Sequence, residues 1–178
     1  MRKKIVTYVV DNSNKEEFIN DVCKKAEETP LGFYLQKPIE TDYRNEKSFP
    51  ELSVENNIIY YQKLYGDNSI PVEKILADFG LSKVSKLKVK KIGEKNRKKL
   101  GIAITFIGNP MYVVLDNPFE NLGIETSASI KNFLVEYVEK NSALIVIVAN
   151  KLIEYEELSD TVYCVKDNAI EKIKEEVL

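Results

Sequence analysis

Four short stretches are apolar almost without interruption: KIVTYVVD (4–11), MYVVLD (111–116), ALIVIVAN (143–150) and TVYCVKD (161–167). They are rich in Val and Ile and too short for ordinary helices, which favours strands covered on both faces. A fifth run, GFYLQKPI (32–39), reads as a strand with Pro38 at its edge or end. NKEEFINDVCKKAEE (14–28) places Phe18, Ile19, Val22, Cys23 and Ala26 at helical spacing, and Thr29-Pro30 closes it. Further helices are predicted over ASIKNFLVEYVEKN (128–141), LIEYEELSD (152–160) and the charged tail IEKIKEEVL (170–178). Strand, helix and strand in turn over 111–167 predict parallel βαβ units.

Between these parts lies a block of helices alone. Ser53 can cap VENNIIYYQKLY, which Gly66 ends. IPVEKILADFGL follows, with Pro71 near its start and Gly80 at its end, and then EKNRKKLGIAITFIGNP (94–110). Residues 53–108 are therefore expected to form a helical subdomain inserted in one α/β domain, whose core is 1–52 and 109–178.

Composition narrows the chemistry. The 178 residues suffice for one sizeable core, and 30% charged residues with a net charge of −2 give no global bias toward nucleic acid. The apolar runs are too short to cross a bilayer and the basic N-terminus resembles no signal peptide, so a cytoplasmic location is expected. The chain has no histidine, which removes imidazole bases, imidazole metal ligands and Ser–His or Cys–His pairs. Its two cysteines, Cys23 and Cys164, stand far apart in no metal-binding spacing, and no metal site is expected. One strand ends in Asp116, a placement that suits magnesium in phosphate-handling enzymes. Asn117 follows it, and an amide cannot take a proton from water.

The order of segments carries a resemblance. FPELSVENNIIYYQKLYG, then NRKKLGIAITFIGNPMYVVLDNPFENLG, then ALIVIVANKLIEYEELSDTVYCVKDNAIEKI together resemble the ATP-binding subunit of ABC transporters. That family has an LTVEENL-like helix start, an R-L-x-I-A-x-A-L-x-x-x-P helix leading into an LLLDEP strand, and a later strand ending in His. The resemblance runs from about residue 32 to the end. It implies an α/β, P-loop NTPase-like fold: a mostly parallel sheet flanked by helices, an inserted helical subdomain and a reduced N-terminal β lobe.

The same resemblance implies a degenerate site. The P-loop position falls on VVDNSNKEEF, which has no glycine to curl backbone amides around phosphates. Lys15 stands where the P-loop lysine belongs and Glu16 and Glu17 where a hydroxyl is needed. The residues alone give Lys15 the reading of a solvated helix-start lysine. Asp116 matches the magnesium-binding acid, although one carboxylate without phosphates is a poor magnesium site and local capping is the expected role. Arg44 falls at the Q-loop glutamine, Gly93 and Lys95 in the signature loop, Asn117 at the catalytic glutamate, Gly123 at the D-loop aspartate and Asn150 at the switch histidine. Lys15 and Asp116 are thus remnant nucleotide positions, and bound ATP or magnesium is not favoured.

The expected protein is a pseudo-ATPase, not an enzyme, acting as a structural or regulatory subunit. Its partners would be a transmembrane permease, an active ATPase homologue, or both. It would then be peripheral to the inner face of the cell membrane through that partner, and the family analogy suggests peptide export or immunity as the setting. The alternatives are a non-hydrolysing nucleotide sensor and a stand-alone interaction protein. Phe49, Tyr60, Tyr61 and Tyr65 are candidates for the partner pocket, because Tyr suits partly wet interfaces. For the individual residues, packing of Ile58, Tyr61 and Tyr65 in the subdomain's own core is the favoured reading. KVSKLKVKKIGEKNRKK (83–99) carries eight Lys and one Arg against one Glu and is expected to be a solvated edge, able also to meet anionic lipid or an acidic partner. It lacks interleaved aromatics for nucleic acid.

Overall fold

A computed structural model describes residues 5–11, 13–27, 48–67, 69–152, 155–166 and 169–175. The predicted strand 32–39 and Arg44 lie outside these residues. The described chain forms two compact units. One holds Ile5–Glu27, Pro110–Glu120 and the residues from Leu134 onward, and the other holds residues 48–109 with Asn121–Phe133.

The first unit is built on a five-stranded sheet. Its strands are β1 (Ile5–Val10), β2 (Tyr112–Asp116), β3 (Leu144–Ala149), β4 (Thr161–Lys166) and β5 (Ala169–Glu175), in the order β2-β3-β1-β4-β5. The first four run parallel, as their unbroken apolar runs imply. Helix α1 (Lys15–Glu27) lays Phe18, Ile19, Val22 and Cys23 against Val10, Val114, Val146, Val148 and Val165. The alternate strand positions Ile5, Val113, Ile145, Ile147 and Val162 are all fully buried, so both sheet faces are covered. On the α1 side, burial with help from Cys23 and Tyr8 pushes the Tyr112 hydroxyl up to about 12.

Three expectations are corrected here. The tail is strand β5, antiparallel to β4 with Val165 opposite Ile170, and not a helix. So short a segment cannot sustain an isolated helix, whereas a ladder with β4 gives its backbone partners. LIEYEELSD forms turns at 155–158 instead of a helix. Tyr155 is buried and stacks on Phe119 at 5.3 Å, and the chain must return at once to the start of β4. There Asp160 N–H donates to Ile5 O (2.9 Å), and its carboxylate accepts from Ile5 N–H (2.7 Å). Helix α5 runs Ile124–Asn141, starting earlier than predicted, because its first turn shows Ile124 to solvent at 91% exposure and so lacks an apolar signal.

The second unit holds α2 (Val54–Tyr65), α3 (Val72–Asp78), α4 (Glu94–Thr105) and the first turns of α5. Ser53 caps α2 by accepting from Asn56 N–H (3.1 Å), and Gly66 ends it at φ +63°. Its core includes Ile58, Phe79, Leu81, Leu100, Ile104, Phe106 and Ile130, all 2% exposed or less. Phe133 meets Phe79 and Phe106 edge-on at 4.9 and 5.1 Å. Asp67 ties the turn after α2 to the end of α4, accepting from Ser69 N–H (2.9 Å) and Gly108 N–H (2.8 Å). Burial pushes its carboxyl up, but the Ser69 hydroxyl, these two N–H bonds and Asn109 outweigh that and hold it below the usual range.

Gly108 sits at φ +94°, and a Cβ there would stand 3.1 Å from Tyr65 Cγ. Gly66 is also left-handed, but a Cβ on it meets nothing within 4 Å. Gly108→Ala is therefore expected to cost about 2–3 kcal/mol in urea unfolding, against ~1 kcal/mol for Gly66→Ala.

Candidate functional site

Parallel strands leave their C-terminal ends along one edge of the sheet. The connection after β1 leads to β2 on one side, and the connection after β3 leads to β4 on the other. Such a reversal opens a crevice at the strand ends, where ligands of α/β sheets bind. Lys15, Asp116, Asn117 and Asn150 all lie at this edge, in the first turn of α1 or just at the ends of β2 and β3.

Lys15 follows the turn closed by Asn14 N–H to Asp11 O (3.1 Å) and opens α1. Its side chain is 10% exposed and forms an ion pair with Asp116, itself 8% exposed. The solvated reading of Lys15 and the local capping role of Asp116 are both corrected by this contact. An aliphatic stem can be buried only if its ammonium finds a partner, and Asp116 supplies it.

Asn117 takes a left-handed conformation, φ +40°, which Asn tolerates better than most residues. It extends the β2–β3 ladder by donating its N–H to Val148 O (2.9 Å). Its side-chain Oδ1 accepts from Asn150 N–H (3.1 Å), and its own carbonyl accepts from Glu120 N–H (3.1 Å). Asn117 and Asn150 are therefore brought together as a brace between two strand ends. Glu16 and Glu17 stay exposed in the first turn of α1, where they complement the helix dipole.

The remaining expected positions fall in the second unit. Gly93 is the residue before α4, extended at φ −68° and ψ 163°, and its carbonyl accepts from Asn96 and Arg97 N–H. Lys95 is exposed on the first turn of α4, and a Cβ on Gly123 would stand 3.4 Å from its amino nitrogen.

The aromatic candidates divide. Tyr61 is 8% exposed and packs in the core with fully buried Ile58, as the core reading expects, so its ring is not part of the exposed surface. Phe49, Tyr60 and Tyr65 are 39–41% exposed, and Leu64, which the sequence reading missed, is 57% exposed. Phe49 and Tyr60 meet edge-on at 4.6 Å. Fully buried Asn57 fixes this patch: its Oδ1 accepts from Phe49 N–H (2.6 Å), and its Nδ2 donates to Phe49 O (3.2 Å) and Ser53 O (2.8 Å). A polar residue on the apolar side of a capped helix, four residues after the cap, was the one sequence signal for it. Lys86 pairs with Glu55, and Lys88 and Lys90 share Glu51, which orders part of the basic stretch.

No family model matches the chain. It is 26% identical over 163 residues to YtlC of Bacillus subtilis (strain 168), an uncharacterized ABC transporter ATP-binding protein, covering 89% of this chain and 60% of that one. It is 25% identical to the spermidine/putrescine import ATP-binding protein PotA of Spiroplasma citri, covering 79% of this chain and 43% of that protein. It is 27% identical to the cytochrome c biogenesis ATP-binding export protein CcmA of Rhodopseudomonas palustris (strain BisB18), covering 54% and 48%. The chain thus spans 60% or less of each of these relatives. The fold is similar to that of the solved structure of RNase-L Inhibitor, with a TM-score of 0.71 at 16% identity over 92% of this chain and 32% of that one.

Removing one partner of the Lys15–Asp116 pair strands a buried charge. Lys15→Met and Asp116→Leu are each expected to cost about 3–5 kcal/mol in urea unfolding, and the double variant clearly less than their sum. Additive losses would show that the two groups do not hold each other.

Proposed function

Because the chain is a relative of the ATP-binding subunits of ABC transporters, we propose that it is a non-hydrolysing member acting as a structural or regulatory subunit. It docks on a membrane permease or pairs with an active ATPase homologue. The observation that carries this reading is the Lys15–Asp116 ion pair. A lysine that meets nucleotide phosphates and an acid that holds magnesium both need to be free for their ligands. Here each satisfies the other, inside a nearly closed environment. Asn117 supports the same reading, since its amide is engaged with Asn150 N–H and has no capacity as a base. The acids of the α1 turn add repulsion to any polyanion approaching that helix.

A nucleotide sensor is the weaker reading, because binding would first have to break the buried pair. Among the described residues, no helix is long and apolar enough to cross a membrane, so attachment to one runs through a partner in this proposal. Phe49, Tyr60, Leu64 and Tyr65 form the surface for it: exposed, mostly aromatic, and held by a buried asparagine rather than by loose loop backbone. Rigid amphipathic rings of this kind dominate binding energy at interfaces.

Two measurements test the proposal. Purified protein is expected to release no phosphate from ATP above background and to show no thermal shift with Mg-ATP. A ligand at about 100 times its dissociation constant would add ~2.7 kcal/mol. ATP hydrolysis that Asp116→Ala abolishes would overturn the reading. Phe49→Ala with Tyr60→Ala is expected to weaken permease or homologue association by about 2 kcal/mol or more while leaving the fold intact.

A further inference from the structure

Residues 82–91, SKVSKLKVKK, hold five lysines, no arginine and no acid. All five lysines are exposed. The backbone that carries them is fixed. Val54 and Glu55 N–H of α2 donate to Leu87 O and Ser85 O (both 3.0 Å), and Val89 and Lys90 N–H donate to Leu52 O and Pro50 O (both 3.0 Å). Val89 is buried and anchors the segment. Leu87 is 45% exposed all the same, between Lys86 and Lys88, with its own N–H bonded to Val84 O (2.9 Å). A loose loop could tuck such a side chain inward, whereas this backbone holds it out.

Two acids answer this charge in part. Glu55 pairs with Lys86, and Glu51 pairs with Lys88 (3.2 Å) and Lys90 (2.6 Å). Lys90, then Lys88, hold the Glu51 carboxyl below its usual range. Lys83 and Lys91 form no ion pair with another described residue. The Glu51 side chain is 64% exposed and those of its two lysines about half exposed. Pairs so open to water contribute little, and an external anion displaces them at small cost.

The chemistry of the segment selects its partner. Lysine is a point charge without the fork of arginine, so lysines strung along ten residues suit a diffuse anionic surface better than one shaped acceptor. The exposed leucine asks for an apolar layer beside that charge. An anionic bilayer offers both, headgroup charge and hydrocarbon beneath it. An acidic protein surface offers charge without the soft apolar layer, and single-stranded nucleic acid stacks on aromatic rings, which 82–91 lacks. We propose that Lys83, Lys86, Lys88, Lys90 and Lys91 form a face that binds the headgroups of an anionic membrane, with Leu87 entering the interface. The face lies wholly in the second unit. It adds a direct contact to the attachment through a partner proposed above, and neither depends on the other.

The test is sedimentation of the whole chain with vesicles of phosphatidylcholine alone and of phosphatidylcholine with phosphatidylserine at about 3:1. Binding is expected to the anionic vesicles only, and to weaken as salt rises from ~0.05 to ~0.5 M. Lys83→Ala with Lys91→Ala is expected to weaken it about tenfold or more, and Leu87→Ser about fivefold. Thermal midpoints show that the variants, all at exposed positions, stay folded. Glu51→Gln, which frees Lys88 and Lys90, is expected to tighten binding about twofold or more. Glu136→Gln, the same charge change at an exposed position of α5, is expected to leave it unchanged. Equal binding to neutral vesicles, no binding at about 1 mM lipid, or equal tightening by the two glutamine variants overturns the proposal. Binding to polyglutamate without binding to vesicles reassigns the face to an acidic protein and likewise overturns it.

Discussion

Strand β1 is hydrogen-bonded along both edges, to β3 from Ile5↔Ile145 through Val9↔Ala149 and to β4 from Val6↔Thr161 through Val10↔Val165. Everything at the sheet's C-terminal edge depends on this double parallel pairing. A slip of one residue in either ladder would exchange the side chains of the two covered faces and shift the strand ends. With the register fixed, α1 begins immediately beyond β1, and Lys15 reaches past the end of β3 to the acid that ends β2. The brace from Asn117 to Val148 and Asn150 locks the same edge from the β2–β3 side.

Charge is handled in two different ways in the two units. At the strand ends a buried cation meets a buried anion, a pairing that contributes little net stability but cannot lose one member cheaply. Along α4 the buried Lys99 donates to Gly80 O (3.3 Å), and burial, then the charge of Lys95, pushes its ammonium below its ordinary value.

The exposed aromatic patch is a matter of backbone as much as of side chains. Phe49 lies outside any helix, and apart from a turn bond from Leu52 N–H to its carbonyl (3.1 Å) its peptide group depends on a side chain. Asn57 binds both its N–H and its carbonyl from the core side of α2. That clamp costs a buried amide, which is tolerable because both ends of the amide are satisfied. It holds the backbone beneath the Phe49 ring in one conformation.

The sequence by itself determined the four parallel strands, the capped helices and the identity of the residues at the strand ends. Continuous β-branched runs, a Ser cap and a Gly stop are local signals that need no tertiary context. It did not determine β5, whose Ile170 and Ile173 are spaced as on a helix and which became a strand only because β4 offered an edge. Nor did it determine the turns at 155–158 or the early start of α5, where distant packing or an exposed Ile124 overrides local pattern. Lys15 reads in sequence as a surface lysine and Asp116 as a local cap. Only the parallel register, which brings residues from two distant segments to one edge, makes them an ion pair.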